Sequence, residues 1–374
     1  MNDHVSIDIV VSGHLCLDLI PDMERVPLQG FARPGHLYEV GPLTISTGGA
    51  VSNTGLALHR LGADVRLMAT VGDDHLGRLI IATLENRDAR LSELIAVRPG
   101  QSSSYTFVLS PAKADRFFLH NTGPNSAFSA ADVDFGLLRQ TRLFHLGYPP
   151  VLPRLTADDG AGLSALYQQA QAAGAVTSLD MTLPDPKGAS GQINWPRVLA
   201  RTLPYVDIFL PSIEETLFTL RRSDYDAWRG DVRGRLSPAY LAALADELLA
   251  HGAAIVGFKL GEMGLYLRTA PQSRIARLAR LPINPAEWGE RTLYTPSFAV
   301  EVVNTLGAGD SAYAGFLAAL VRGLGPEAAI RWACAVGACN CETADAISGV
   351  RTWDATQQRM DEGWPLHTVR LPGM

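Results

Sequence analysis

The chain has 374 residues, 47% of them hydrophobic, with 35 glycines and a formal net charge of −6. That profile fits one large α/β domain or two smaller ones and argues against a disordered chain, and the acidic balance without a basic run argues against nucleic acid or an anionic membrane as partner. No apolar run reaches the ~18 residues of a spanning helix, and the start MNDHVSIDIVVSGHLCLDLIPDM lacks a basic opening, so a cytoplasmic protein without a signal peptide is expected.

SIDIVVSGHLCLDLI reads as a buried strand, a turn at Gly13, and a second extended run ending near Asp18. FARPGHLYEVGPLTIST is extended and broken by glycine and proline. GGAVSNTGLALHRLG predicts a helix stopped by Gly62, DVRLMATVG a strand, and HLGRLIIATLENR a second helix. Residues 103–120 predict two strands joined by a polar turn from Pro111 to Asp115. With residues 30–46 they form a small β layer apart from the main sheet.

Strand and helix then alternate: TRLFHLGY, a helix ending at Gly174, AVTSLDM, VDIFLPS, a helix ending at Gly252, and a strand pair around KLGEMG. SFAVEVVN predicts one more strand before two apolar helices. This rhythm implies a mostly parallel sheet with helices on both faces. The stretches 221–236 and 270–291 read as polar surface insertions, solvated or contributing to a nucleotide or oligomer surface. Cys334, Cys339 and Cys341 lie in an apolar helical stretch, and buried thiols are expected there rather than a metal site.

NTLGAGDSAYAGF carries the chemistry. A glycine turn before a helix frees backbone N–H groups and borrows the helix dipole, so it suits phosphate oxygens. Gly307, Gly309 and Ala312 fit a dinucleotide fingerprint, but only about 65 residues follow, too few for such a domain. No stretch matches a P-loop. Asp310 could serve as a first-turn acid alone, or it could accept the proton of an attacking hydroxyl while the turn holds the transferred phosphoryl group. The dipole is expected to keep it ionised.

Two stretches together resemble the ribokinase-like (PfkB) family of carbohydrate kinases. NTLGAGD is similar to its C-terminal signature, and STGGAVSNTGLALHRLGADVRLMATVGDDHLGRLI to its N-terminal one, about 255 residues earlier. The resemblance implies a single domain over 1–374, a three-layer α/β/α fold with a mostly parallel central sheet, and a β lid from about 30–46 and 103–120. It implies Asp310 as catalytic base, with Gly307, Ala308 and Gly309 as anion hole. Asp18, Gly48, Gly49 and Asn53 would hold the sugar. Ser212, Lys259, Gly261, Gly264 and Asn340 would lie along ATP, and Glu215 would organise Mg²⁺ through water, with Glu214 a substitute. Tyr105 and Phe107 could face the sugar or pack in a core or dimer contact.

Two departures stand out. Asn304 replaces the leading aspartate of the C-terminal signature, which removes a charge from the family's monovalent-cation site and argues against K⁺ activation. Ser212 replaces the asparagine of P-N-x-x-E, so contacts there would run through water. The expected function is ATP-dependent phosphorylation of a hydroxyl on a small sugar or sugar-like molecule, with a homodimer through the lid. A non-catalytic sugar- or nucleoside-binding relative is the alternative. The absence of a clear basic cluster favours an unphosphorylated substrate, while Lys113 and Arg116 on the lid keep a phosphosugar open.

Overall fold

The computed structural model describes residues 5–26, 33–111, 117–228, 231–232 and 234–373. Its strands are β1 (Ile7–Gly13), β2 (Cys16–Pro21), β3 (Leu43–Gly48), β4 (Val65–Gly72), β5 (Ile95–Arg98), β6 (Tyr105–Leu109), β7 (Phe117–Asn121), β8 (Thr141–Gly147), β9 (Val176–Asp180), β10 (Ile208–Phe209), β11 (Ile255–Lys259), β12 (Leu265–Thr269) and β13 (Thr292–Thr295). Helices of eight or more residues are α1 (Gly49–Arg60), α2 (His75–Glu85), α3 (Pro153–Ala172), α4 (Trp195–Thr202), α5 (Ile213–Leu220), α6 (Pro238–Ala250), α7 (Ala308–Val321), α8 (Pro326–Asn340) and α9 (Trp353–Asp361). Among the described residues no helix is long and apolar enough to cross a membrane.

Nine strands form the main sheet in the order β13-β12-β11-β10-β9-β8-β1-β4-β5. All pair in parallel except β12 and β13. Central strands such as β1 and β8 are buried along nearly their whole length, as helices on both faces require. One apolar cluster joins the sheet to α1, α2, α7 and α8, and another joins its opposite face to α3, α4, α5 and α6. The three-layer α/β/α expectation is met. The chain crosses the sheet's midline at β1, whose neighbours are β4 and β8. Strand order reverses there, and the carboxyl ends of the strands leave a crevice suited to a ligand.

A four-stranded sheet, β3-β2-β6-β7, forms the lid. It includes β2, which follows β1 directly; of the lid segments, residues 30–32 and 112–116, and with them Lys113 and Arg116, lie outside the described residues.

Two expectations are corrected. SFAVEVVN forms no strand of the sheet. Phe298 makes an isolated bridge to Leu366, and the Val303 and Asn304 N–H groups donate to the Cys341 carbonyl. The edge place is taken by β13. The 270–291 segment is not a solvated loop, because Ile275, Leu278, Leu281 and Trp288 are buried. Arg274 pairs with Asp207 at 2.8 Å, and Arg280 donates to the carbonyls of Leu138, Thr141 and Ala173. These arginines pin the amino-terminal edge of the sheet, away from the crevice. In 221–236, residues Arg222–Trp228 form a short helix whose Tyr225 and Trp228 pack on the second cluster.

Candidate active site

The loop before α7 enters the helix through Gly307, whose φ of 70° is left-handed. Only glycine adopts that conformation without strain, and a Cβ would run into the Ala346 carbonyl. In the first turn, the Gly309 and Asp310 N–H groups have no carbonyl four residues back within the helix. Asn304 stabilises this loop: its Nδ2 donates to the Ala344 carbonyl at 2.8 Å, and its Oδ1 accepts from the Leu306 N–H at 2.9 Å. Asn340, fully buried at the end of α8, donates to the Leu306 carbonyl at 2.8 Å. It braces the turn from behind.

Asp310 is 3% exposed. Asn53 Nδ2, from α1, donates to its Oδ2 at 2.9 Å. The Tyr148 hydroxyl, just beyond β8, lies 2.7 Å from each carboxylate oxygen. Burial pushes the Asp310 carboxyl up, against the Lys259 ammonium and the bonds from Tyr148 and Asn53. The helix dipole is expected to favour the ionised form, and desolvation works against it. A raised pKa makes Asp310 a stronger base than an ordinary surface carboxylate. Tyr148 has a φ of 69°, which a non-glycine residue adopts only when its surroundings compel it.

The lid contributes a second wall. Register places Ser46, Asp18, Thr106 and His120 in one cross-strand row, and side-chain alternation puts them on one face. Asp18 is 5% exposed, and burial pushes its carboxyl up to about 6 despite the bond from the Cys16 thiol. Gly48 ends β3 beside it, where a Cβ would overlap the Asp18 carboxylate. Gly49 opens α1 against His14. The Thr106 hydroxyl and His120 Nδ1 are 3.0 Å apart. His14 is buried between His120 and Tyr148, with ring centroids 5.0 and 6.0 Å away. Neither ring nitrogen of His14 has a partner among the described residues. Burial holds both histidines below their usual pKa, hence neutral. The idea that Tyr105 and Phe107 face the sugar is corrected: they belong to the opposite side of the lid from Thr106.

On the other flank of Asp310 lies a charged cluster. Lys259, at the end of β11, places Nζ 2.8 Å from Asp180 Oδ1 at the end of β9. Burial opposes the Lys259 charge, but Asp180, Glu215 and Asp310 together raise its pKa, and it stays an ammonium. Burial pushes Asp180 and Glu215 up against its pull. Ser212 caps α5, and Glu215 returns a bond to the Ser212 N–H at 2.7 Å in a reciprocal capping box. Gly261 and Gly264 bound the turn from β11 to β12. The buried carboxyl groups of Asp180 and Asp310 and the partly buried one of Glu215 face one ammonium, and Asp180 Oδ2 has no hydrogen-bond partner among the described residues. That oxygen-rich, negative donor set fits Mg²⁺, a hard cation that keeps several waters.

Asp310 thus meets Asn53 directly, with Asp18, Gly48 and Gly49 on one side and Ser212, Glu215 and Lys259 on the other. Tyr148, Asp180, His14, Thr106 and His120 were not singled out by sequence. A usable signal existed for Asp180 and Tyr148, since each ends or follows a strand at the carboxyl edge.

The model of the pfkB family carbohydrate kinases matches residues 6–353. A 2-dehydro-3-deoxygluconokinase of Bacillus subtilis is 23% identical over 85% of this chain and 87% of its own length. An ATP-dependent ribose-1-phosphate kinase of Halopiger xanaduensis is 24% identical over 91% and 97%. Against fructokinase-2 proteins of maize and tomato the match spans about half of each relative's length. The fold is similar to that of Arabidopsis thaliana ribokinase complexed with ribose and ATP, with a TM-score of 0.71, 18% identity and coverage of 94% of this chain and 98% of that one.

Proposed function

This chain belongs to the pfkB family of carbohydrate kinases, and on that premise we propose that it transfers the γ-phosphoryl group of ATP to a hydroxyl of an unphosphorylated sugar, with Asp310 as base. The observation that carries this reading is the seat of Asp310. It stands in the first turn of α7 beside the Gly307–Gly309 anion hole, and Asn53 and Tyr148 orient its carboxylate.

The sugar hydroxyl donates to Asp310 and attacks the γ-phosphorus. The bond to the bridging oxygen of ADP breaks, the proton passes to Asp310, and the turn's N–H groups hold the transferred oxygens. Asp18, Asn53, Gly48 and Gly49 read the sugar's other hydroxyls, joined by Thr106, His14 and His120. ATP lies along Ser212, Lys259 and the Gly261–Gly264 turn. Asp180 and Glu215 would hold Mg²⁺ through water, which would neutralise charge on the donor phosphates. Asn340 acts by bracing the anion hole. The amide of Asn304 carries no charge, so activity without K⁺ is expected.

The side chains that bond to Asp18, Asn53 and Thr106 in these contacts are the Cys16 thiol, the Asp310 carboxyl and a neutral His120, an uncharged to acidic wall that supports a neutral substrate. On the lid's other face, Ile45, Leu19, Phe107 and Leu119 align in one row, and Ile45, Phe107 and Leu119 are exposed. That apolar row supports a homodimer through the lid. A cytoplasmic setting, where ATP is available, suits the activity.

The test is ADP release across neutral aldoses, ketoses, sugar acids, nucleosides and sugar phosphates. Turnover of a neutral sugar supports the reading. Turnover confined to sugar phosphates overturns the substrate class, and saturable sugar binding without any turnover overturns the activity.

A further inference from the structure

We infer that Lys259 is a catalytic residue, whose ammonium touches the transferred phosphoryl group at the anion hole and supplies the fixed positive charge there. The inference rests on the kinase reading and goes beyond a role in holding the nucleotide.

The argument begins with position. Lys259 ends β11 with its side chain only 11% exposed. A Cβ built on Gly309 would lie 3.5 Å from Nζ, so the ammonium rests against the first turn of α7. The ring of Tyr313, one turn further along α7, is 5.5 Å from Nζ. Asp180 anchors the ammonium from the other side at 2.8 Å. Lys259 therefore stands between the N–H groups that would hold the phosphoryl oxygens and the carboxyls suited to Mg²⁺.

Charge gives the second argument. Asp180 lies 2.8 Å from the ammonium, and Glu215 and Asp310 lie within electrostatic reach of it. A polyphosphate approaching this cluster of carboxyl groups meets repulsion from those that are ionised unless a cation intervenes. Asn304 brings no charge, and its amide is committed to the Ala344 carbonyl and the Leu306 N–H. Among the described residues that form this wall, Lys259 is the cationic one. A preorganised ammonium in a buried site, aimed where charge develops, stabilises the transition state without reorganising.

Lys259 also props Asp180, so the test separates chemistry from support. The variants are Lys259→Met, nearly isosteric and uncharged, and Lys259→Gln, which keeps a donor towards Asp180. The expected result for both is a loss of about 10²- to 10³-fold in kcat, the scale of removing one oxyanion-hole donor. The KM for sugar stays within a few-fold, because the sugar wall is untouched. Affinity for ADP with aluminium fluoride, which mimics the phosphoryl group in flight, falls by much more than affinity for a non-hydrolysable ATP analogue. In Lys259→Ala, added methylammonium restores part of kcat.

A kcat within threefold of wild type in folded Lys259→Gln overturns the inference. So does an equal loss of affinity for the aluminium fluoride complex and the ATP analogue, which is the pattern of a merely structural prop. Wild type without sugar-dependent ADP release would instead overturn the kinase reading itself, so the two failures are distinct.

Discussion

Replacing Tyr148 by phenylalanine removes one oxygen atom and keeps the buried ring. The hydroxyl sits 2.7 Å from both oxygens of Asp310, so the variant strips one hydrogen bond from the carboxylate and leaves Asn53 and Lys259 in place. A hydrogen bond to a charged group contributes about 1.5–3 kcal/mol. At 1.36 kcal/mol per pKa unit this corresponds to about one to two units. The sign follows from which form the bond favours. The hydroxyl stabilises the ionised carboxylate and lowers its pKa, so its loss raises the pKa further. Asp310 accepts a proton only when ionised, and the acid limb of kcat therefore moves to higher pH by about one to two units. On the alkaline side of the limb the variant recovers most of its rate. The assay is kcat against pH at saturating sugar and ATP, with coupled detection of ADP. An unmoved limb with a lowered plateau would refute the reasoning, because it would mean that Tyr148 holds substrate rather than tuning Asp310.

Further outcomes follow from the same geometry. Burial raises the Asp18 carboxyl to about 6, so kcat/KM for sugar should fall as pH drops through that value, and Asp18→Asn should weaken sugar binding and flatten that dependence; an unchanged sugar KM in the variant would remove Asp18 from the pocket. Phe107→Glu places a charge in the exposed apolar row of the lid and should convert a dimer to a monomer in analytical ultracentrifugation, without unfolding it; a wild type that is monomeric at all concentrations would end the lid-dimer proposal. Arg280→Ala leaves the carbonyls of Leu138, Thr141 and Ala173 without their donor and should lower unfolding free energy by roughly 1–3 kcal/mol, read by urea titration, while kcat stays unchanged; a fall in kcat with intact stability would restore a role for 270–291 in the reaction.

Much of this site was legible because its chemistry is local. The turn through Gly307 needs a left-handed residue, and the acid three positions later follows from helix geometry. Gly48 and Asn53 came from a long signature and Asp18 from the family's aspartate after the first strand, and the lid register shows why they belong together: Gly48 can approach Asp18 only because it lacks a side chain. What escaped depends on distant partners. Asp180 and Tyr148 meet Lys259 and Asp310 only where separate parallel strands end side by side, and a single chain carries no record of strand order. SFAVEVVN alternates like a strand, yet Val302 and Val303 are exposed and the backbone bonds instead to Cys341, so alternation alone misled. Tyr105 and Phe107 were attractive as aromatic residues, but their parity with Asp18 depends on a pairing register that was not visible beforehand. The 270–291 stretch looked like surface because of its arginines, and two of them pair inward instead, Arg274 with Asp207 and Arg280 with backbone carbonyls.

The central claim is that Asp310 takes the proton of the attacking sugar hydroxyl. Asp310→Asn is nearly isosteric and keeps partners for Asn53 and Tyr148, so its single-turnover phosphoryl transfer from ATP to the preferred sugar is the most direct measurement. The account predicts a rate lower by about 10²- to 10⁴-fold, with sugar and ATP affinities changed by no more than a few-fold. A rate within tenfold of wild type at saturating substrates would contradict it.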